Sequence, residues 1–440
     1  MKRTFFLFCI TAVMLCSCSD INESTRLGNL TSSTEVSSEN TTSVDDAPSV
    51  QSTEDSSTSD DTQSPVTDVQ TTTVTTTPPP PPPSVSFTAV GDNLIHSSIY
   101  KQAARRAEEL DHTDYDFGYA YEGGADLLDD ADISIINQET LICNDEFPPD
   151  TYPCFNSPTE LGDHMDKLGF DIFGMANNHV LDKGEKGLEA CLRYYDRREM
   201  IRVGAYRDEK DRSKIRIVEK NGMRIAFLAY TEHTNGLSLP GDSPLCYGSI
   251  RNEEAIELAL SEVEKAAQMS DAVIVMLHWG VEDSDVIGSE QRALALRFAD
   301  AGTDVILGSH PHVLRDMEWI ERSDGGRTLC AYSMGNFISA QNQGRNLIGG
   351  ILDFTLTGTD NGNGERPEVG DIVFTPIVTH YDSNYSNIRL YTLDNYTEEL
   401  ANGHGVRSSS TFSMDFILEY LNKHSLIGSE DEIVRVYSEE

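Results

Sequence analysis

AVGDNLIH, Ala89 to His96, decides how the rest of the chain is read. Val85, Phe87 and Ala89 alternate with Ser86, Thr88 and Val90, and the run ends at Gly91-Asp92. That pattern predicts a half-buried strand with a carboxylate at its carboxyl end. In an open α/β sheet, ligands gather beyond that end. Later apolar runs also finish in metal-ligand residue types: Asn137 and Glu139, Asn178 and His179, His278, then His310 and His312.

Before this stretch lies chain of another character. Lys2 and Arg3 precede the apolar run FFLFCITAVML, which is short for a membrane span and built like a secretory signal. Leu15-Cys16-Ser17-Cys18 resembles a bacterial lipoprotein cleavage site, which would make 1–18 the signal and lipobox and Cys18 the lipidated first residue of the mature chain. Two acyl chains, at about 0.8 kcal/mol per buried methylene, hold stably where one does not. The resemblance therefore implies a lipid anchor in the membrane and a place on the extracellular face of the cytoplasmic membrane. An uncleaved anchor and a soluble secreted chain are the other readings.

Residues 19–84 are dominated by Ser, Thr and Asp, with isolated apolar residues and Arg26 facing many carboxylates. Such a segment cannot bury enough surface to offset its ordering entropy, which predicts disorder. Pro78 to Pro83 predicts a stiff, extended end to it. The expected organisation is a disordered stalk followed by one large domain over 85–440. A net charge of −40 leaves no basic stripe to displace counterions from phosphates, so nucleic acid is excluded as a partner. Beyond the signal, Cys143, Cys154, Cys191, Cys246 and Cys330 form no CxxC pair, against a thiolate zinc site. Cys143 and Cys154 flank a proline-containing loop and are placed to bridge, but scattered buried thiols fit the same spacing.

The folded region alternates strand and helix signals. Helices are expected at Ser97–Leu110, from Ser157-Pro158 with a cap-and-Pro start, at Gly184–Met200, Asn252–Gln268, Ser289–Ala301 and near Ser413–Leu421. Strands are expected at Ala131–Asn137, Phe170–Ala176, Ala272–Leu277, Val305–Leu307, Thr328–Met334, Gly350–Leu356 and Asp371–Val378. Asn221-Gly222 predicts a hairpin between Ile215–Glu219 and Met223–Tyr230. Repeated βα units followed by strand-rich sequence suggest stacked sheets with helices outside.

Carboxylate, amide and imidazole donors at strand ends suit manganese, iron or zinc better than calcium, which prefers oxygen alone. Each signal has a simpler reading by itself. His310-Pro311-His312 reads as surface histidines in a turn, His278 as a satisfied core histidine, Asn177-Asn178-His179 with Asp182 and Gly184 as a turn and helix cap, and Glu139 as the partner of an arginine. Their common place at strand ends argues for one cage. Alternate side chains share a side in extended backbone, which would turn both His310 and His312 into it.

GDNLIH, NQE, ANNHVLDKGEKGL, FLAYTEHTN, LHWGVE, GSHPHVL and YSMGNF, in this order, resemble the bacterial capsule-synthesis family with a PGA_cap domain, within the calcineurin-like metallophosphoesterase superfamily. The resemblance covers about Val85 to Asn336. It implies an α/β four-layer sandwich, two mixed β-sheets flanked by helices, and a centre for one or two divalent metal ions. It implies a link to poly-γ-glutamate capsule biosynthesis or export, with the polymer and a membrane capsule-synthesis complex as partners. Asp92, Glu139, Asn178, His278, His310 and His312 match metal-ligand positions, Asn137 is a further candidate, and His179 matches the proton-donating histidine. Leu94 departs from the Asp-x-His that usually opens a phosphoesterase site, which favours one ion over two.

His96, Glu282 and Asn336 are candidates for substrate contact, each with a reading as an ordinary surface or turn residue. In a hydrolase, water activated at the cation would attack phosphorus in line, and His179 would protonate the departing oxygen. A hydrolase unrelated to capsule, and a non-catalytic accessory protein that holds the polymer, stay open beside the capsule reading.

Overall fold

Apolar runs that read as buried strands carry the architecture. The computed structural model describes residues 81–424 other than 111–113, 126–127, 129–130, 144–145 and 360–365. The signal segment, Cys18 and residues 19–80 of the expected stalk lie outside the described residues. The chain divides into Met1–Thr76 and Thr77–Glu440, and every described residue belongs to the second unit.

The strands in chain order are β1 (Ser84–Asn93), β2 (Ile133–Asn137), β3 (Ile172–Gly174), β4 (Ile201–Val203), β5 (Ala205–Tyr206), β6 (Arg216–Lys220), β7 (Met223–Thr231) and β8 (Cys246–Tyr247). They continue with β9 (Ala272–His278), β10 (Val305–Ser309), β11 (Met317–Glu321), β12 (Arg327–Ala331), β13 (Asn336–Ile338), β14 (Ile348–Thr357), β15 (Glu368–Asp382) and β16 (Ser386–Thr392). One mixed sheet runs β16-β15-β14-β1-β2-β3-β4, with β13 added in parallel at the end of β1. The other large sheet runs β11-β12-β10-β9-β7-β6, and β5 pairs with β8 in a separate two-stranded sheet.

Alternation along the second sheet divides its side chains between two cores. Ala272, Ile274 and Met276 of β9, with Ile225, Phe227 and Ala229 of β7, join the core shared with the first sheet. Their neighbours Val273, Val275 and Leu277, with Ala226, Leu228 and Tyr230, face a separate core under α6 (Glu253–Met269) and α7 (Ser289–Asp300). A strand buried on both faces has no polar side, which is why AVIVML is apolar throughout. The sheets touch closely: a Cβ on Gly174 of β3 would lie 2.4 Å from the Met276 methyl group. Helices α1 (Ser97–Leu110), α3 (Thr159–Lys167) and α4 (Gly184–Arg197) pack on the first sheet through Ile99, Ala103, Leu161, Met165, Leu188 and Tyr195. The short helices α2 (Gly118–Tyr121) and α5 (Glu209–Arg212) follow α1 and α4 in chain order, and α8 (Glu398–Gly403) and α9 (Met414–Lys423) follow β16. The result is the expected sandwich, helices outside two facing sheets.

Local departures from the sequence reading have physical causes. β1 is half-buried only at its start; from Phe87 to Asn93 every residue is buried, because β1 is a central strand, between β14 and β2, and packing covers both faces of the sheet there. Helix α3 starts one residue after Pro158, and the Ser157 hydroxyl is bonded to Thr140 at 2.7 Å instead of capping it. At Asn221-Gly222 both residues have positive φ, 51° and 82°, as a tight two-residue hairpin requires. The five cysteines of this region are free thiols. Among the described residues no helix is long and apolar enough to cross a membrane.

Gly91, the residue before Asp92, lies against the backbone that leads into β13. An added Cβ would sit 1.9 Å from the Gly335 carbonyl oxygen, and backbone cannot swing aside as a flexible side chain can. Gly91→Ala should therefore cost about 1–3 kcal/mol of stability by overpacking. Chemical denaturation beside the wild-type chain checks it, and an unchanged midpoint would show that β13 yields freely.

Candidate metal centre

The carboxyl ends of both sheets meet at one edge. In the first sheet Asp92 stands in register with Asn137, and Asn137 with Gly174. In the second, Thr231, His278 and Ser309 form a row across β7, β9 and β10. The loops beyond these rows carry Glu139, Asn178, His179, His310 and His312, and all of them are buried.

Glu139 sits at the middle. Its Oε1 lies 3.7 Å from His278 Nε2, 3.7 Å from His312 Nε2 and 4.0 Å from His179 Nε2. Those separations are too long for hydrogen bonds. For His278 and His312 they suit donors that approach a cation shared with Glu139 at about 2.1 Å each, which places the donors within about 4.2 Å of one another, while His179 stands at the margin of the cage. Neither carboxylate oxygen has a hydrogen-bond partner. A buried carboxylate without donors costs several kcal/mol, so this position requires a positive partner. Asp92, Glu139 and His312 each offer one donor atom within 4.8 Å of the others. The residues present fit a divalent cation.

Neighbouring bonds orient the donors. Asp92 accepts from Asn137 Nδ2 at 2.7 Å and from His312 Nδ1 at 2.9 Å, so His312 turns Nε2 toward Glu139. His278 Nδ1 is bonded to the Ser309 hydroxyl at 2.9 Å, and its Nε2 lies 3.0 Å from Asn178 Oδ1. Tyr121 donates to Asn93 Oδ1 at 2.6 Å and Asn93 to Gln138 Oε1 at 2.8 Å, a buried chain that fixes the backbone beside Glu139. His179 Nδ1 is bonded to Asp182 at 2.7 Å, and the same Asp182 oxygen accepts the Phe155 N–H at 2.6 Å.

The substrate candidates take different places. Glu282 is exposed at the rim, its Oε1 3.4 Å from the Asn178 amide nitrogen. His96 is half-buried and stands edge-on to Phe155, which in turn stands edge-on to His179. Asn336 lies behind His312: its Oδ1 faces His312 Nδ1 at 3.1 Å, and its amide donates to Ser339, Gln341 and the Asn346 carbonyl. Leu94, in place of the usual histidine, is buried and gives its N–H to the Ile338 carbonyl.

His310 and His312 converge, but by another route than extended backbone. Both are left-handed, with φ of 94° and 59°. A non-glycine residue held there stores about 1–3 kcal/mol, which the surrounding bonds must hold in place. Asp182, named in the sequence only as part of a turn and helix cap, orients His179, and the sequence reading passed over Ser309, His233 and Asn235. Asn235 Nδ2 lies 3.5 Å from His179 Nδ1, and His233 Nε2 lies 3.2 Å from His310 Nε2. The last two close FLAYTEHTN, an apolar run that ends beside His278, so the same strand-end rule would have found them.

Electrostatics follow the burial. Burial first, then the neighbouring imidazoles, push His278 and His310 well below the ordinary histidine pKa, so both are neutral with free lone pairs. Burial likewise lowers His96, to about 4. For His312 burial is outweighed by Glu139 and Asp92, which hold its pKa at about 10. Glu139 is raised well above the carboxylate range by burial, then by the Asp92 charge, with His312 opposing. Without a cation, protons supply the positive charge that the cage requires.

The family model described as "Bacterial capsule synthesis protein PGA_cap" matches residues 86–341, more than half of the chain. The chain belongs to this family. Every donor of the cage, from Asp92 to His312, falls inside the matched segment. PGA_cap chains share the metallophosphoesterase-like fold that the sequence resemblance implied. The "Capsule biosynthesis protein CapA" of Bacillus anthracis is 31% identical over 201 residues, 44% of this chain and 46% of that protein. The "PGA biosynthesis protein CapA" of Bacillus subtilis is 31% identical over 218 residues, 49% of this chain and 55% of that protein. The chain thus spans about half the length of the curated relatives it matches. A solved structure titled as a novel phosphatase, from Mycoplasma pneumoniae, aligns with a TM-score of 0.40 at 13% identity, covering 68% of this chain and 94% of that one.

Two outcomes are expected. Cation binding at neutral pH should release protons from Glu139 and His312, so affinity should rise about tenfold per pH unit for each proton displaced. Calorimetry in buffers of different ionisation enthalpy measures that release, and zero proton release would contradict the charge arrangement. His310→Gly should leave the metal-free chain more stable than His310→Ala, because only glycine adopts φ of 94° without strain. Equal melting temperatures for the two variants would show that no strain is stored there.

Proposed function

We propose that this chain serves poly-γ-glutamate capsule biosynthesis at the cell surface, through a divalent-cation centre of the phosphoester-hydrolase type. The observation that carries the reading is Glu139: a buried carboxylate with both oxygens unpartnered, ringed by His179, His278 and His312. Membership of the capsule-synthesis family, and relatives whose names refer to capsule and PGA biosynthesis, support the pathway. Asp92, Glu139 and His312 would hold one manganese, iron or zinc ion. Asn178, His278 and His310, with Glu139 between, would complete its sphere or hold a second ion.

When bound, the cation supplies Lewis acidity, neutralising charge on phosphoryl oxygens and making water a better nucleophile at neutral pH. The remaining roles belong to the protein. Asp182 fixes the His179 ring through Nδ1, which leaves Nε2 on the Glu139 side to hold a proton for the departing oxygen. Phe155, edge-on to both His179 and His96, keeps water off that side of the ring. Glu282 and Asn235 hold the Asn178 amide nitrogen at 3.4 Å each, so that its oxygen faces His278.

A second reading has its own support. Leu94 removes one imidazole from the usual set, and a protein with a net charge of −40 needs a cation to hold an anionic polymer without chemistry. Anchoring through Cys18 to the outer face of the cytoplasmic membrane, beside a capsule-synthesis complex, belongs to either reading. Cys18→Ala should then release the chain from membranes.

The deciding experiment measures metal content and turnover of bis(p-nitrophenyl) phosphate by the purified chain. One or two ions per chain are expected, lost when His278 and His310 are both replaced by Ala. His179→Gln should lower turnover about 10²–10⁴-fold while keeping the metal. Bound metal without turnover, together with metal-dependent binding of poly-γ-glutamate, would replace the hydrolase reading by the polymer-holding one. A folded chain that takes up neither manganese, iron nor zinc would end both.

A further inference from the structure

Arg315, three residues beyond His312, is a wholly buried cation. Its Nε donates to the Ser284 carbonyl at 2.8 Å, its Nη2 to the Val281 carbonyl at 3.0 Å, and its Nη1 to Gln291 Oε1 of α7 at 2.9 Å. The oxygens it bonds among the described residues are thus two backbone carbonyls and one amide, none a carboxylate. A buried charge without a paired opposite charge is costly, so a side chain kept there for packing alone would be apolar. What the guanidinium does is bracket a short segment of chain.

Val281 and Ser284 stand on either side of Glu282 and Asp283, at the start of the loop that leads from His278 to α7. Within the bracket the Asp283 N–H donates to the Pro311 carbonyl at 3.0 Å, between His310 and His312. The loops beyond β9 and β10 are therefore tied to each other twice. Gly280, with φ of 93°, turns the chain over the guanidinium, and a Cβ there would run into Nη1. From the other side Asn346 donates to Asp283 Oδ1 at 2.5 Å and Gln343 to Oδ2 at 3.0 Å. Glu282 reaches out of this fixed segment to the loop of the first sheet that carries Asn178, its Oε1 3.4 Å from the amide nitrogen.

We propose that Arg315 is a positioning residue of the metal centre: by holding the carbonyls of Val281 and Ser284 it keeps Glu282 at the Asn178 amide, and so steadies Asn178 from the opposite sheet. This rests on the cation reading above. A guanidinium donates in several directions of one plane at once, which an ammonium on a flexible stem does not. Lysine would keep the charge and lose the bracket.

The test uses the full chain and two readouts. In competition titrations with manganese or zinc, Arg315→Lys should bind about tenfold more weakly, the lower end of what outer partners of a metal ligand contribute, and Glu282→Ala should also weaken binding. Because Arg315 acts through Glu282, the double variant should bind no more weakly than Glu282→Ala alone, whereas a role in stability alone gives losses that multiply. Hydrogen exchange of the metal-free chain should be faster at the Asp283 amide in Arg315→Lys, with the amides of β9 protected as in the wild type. If Arg315→Lys does not fold, Gln291→Ala, which removes one acceptor and leaves the cation in place, carries both comparisons. Unchanged affinity, losses that multiply, or unchanged exchange at Asp283 would each overturn the proposal. A wild-type chain that binds no cation overturns the proposed function instead, and exchange at Asp283, read without metal, then judges the bracket by itself.

Discussion

A carboxylate buried among imidazoles with no hydrogen bond to either oxygen is the constraint on which this site depends. Glu139 is unpartnered in a region where the groups around it are bonded: Asp92 to Asn137 and His312, Asn93 to Tyr121 and Gln138, His278 to Ser309. Among the described residues around the site, His310 Nδ1 and Asp182 Oδ1 are also buried without a hydrogen bond, but Glu139 is the carboxylate with both oxygens open, and imidazole nitrogens converge on it. Such an exception to buried-polar satisfaction marks a place kept for a charge that the chain does not supply.

The fold makes that exception affordable. Strands such as β7 and β9, buried on both faces, split their side chains between the inter-sheet core and the core under α6 and α7. Two rigid sheets then present their carboxyl ends along one edge, and short loops beyond them need to reach only a few ångströms. Strain is concentrated where the reach is most awkward, at the left-handed His310 and His312. Elsewhere the positive φ angles near the site fall largely on Asn, Asp and Gly, among them Asn235, Asp283, Gly280 and Gly335, which tolerate them better.

Much of this was legible from residue order, and the gaps have specific causes. The strand-end rule pointed to Asp92, Glu139, Asn178, His278, His310 and His312, and the structure places all six, buried, at or just beyond the carboxyl ends of strands, because a switch from apolar to polar is visible in sequence. It missed His233, although FLAYTEHTN shows the same switch, because Glu232 and Thr234 around it read as an ordinary polar turn. The backbone of His310-Pro311-His312 was read as extended, since left-handed histidines leave no mark in composition. Edge strands were harder than central ones: β16, SNIRLYT, mixes polar and apolar residues, because Ile388, Leu390 and Thr392 face the core and are buried, while Asn387, Arg389 and Tyr391 on its other face are not. The place of Asn336 behind His312 depends on side-chain direction, which spacing does not specify.

Asp92 and His312 touch across 220 positions of sequence, and the other donors come from loops spread between them. The full donor set exists only once both sheets have closed on each other, so an ion that needs all of it would be taken up after folding, from whatever surroundings the folded chain then occupies.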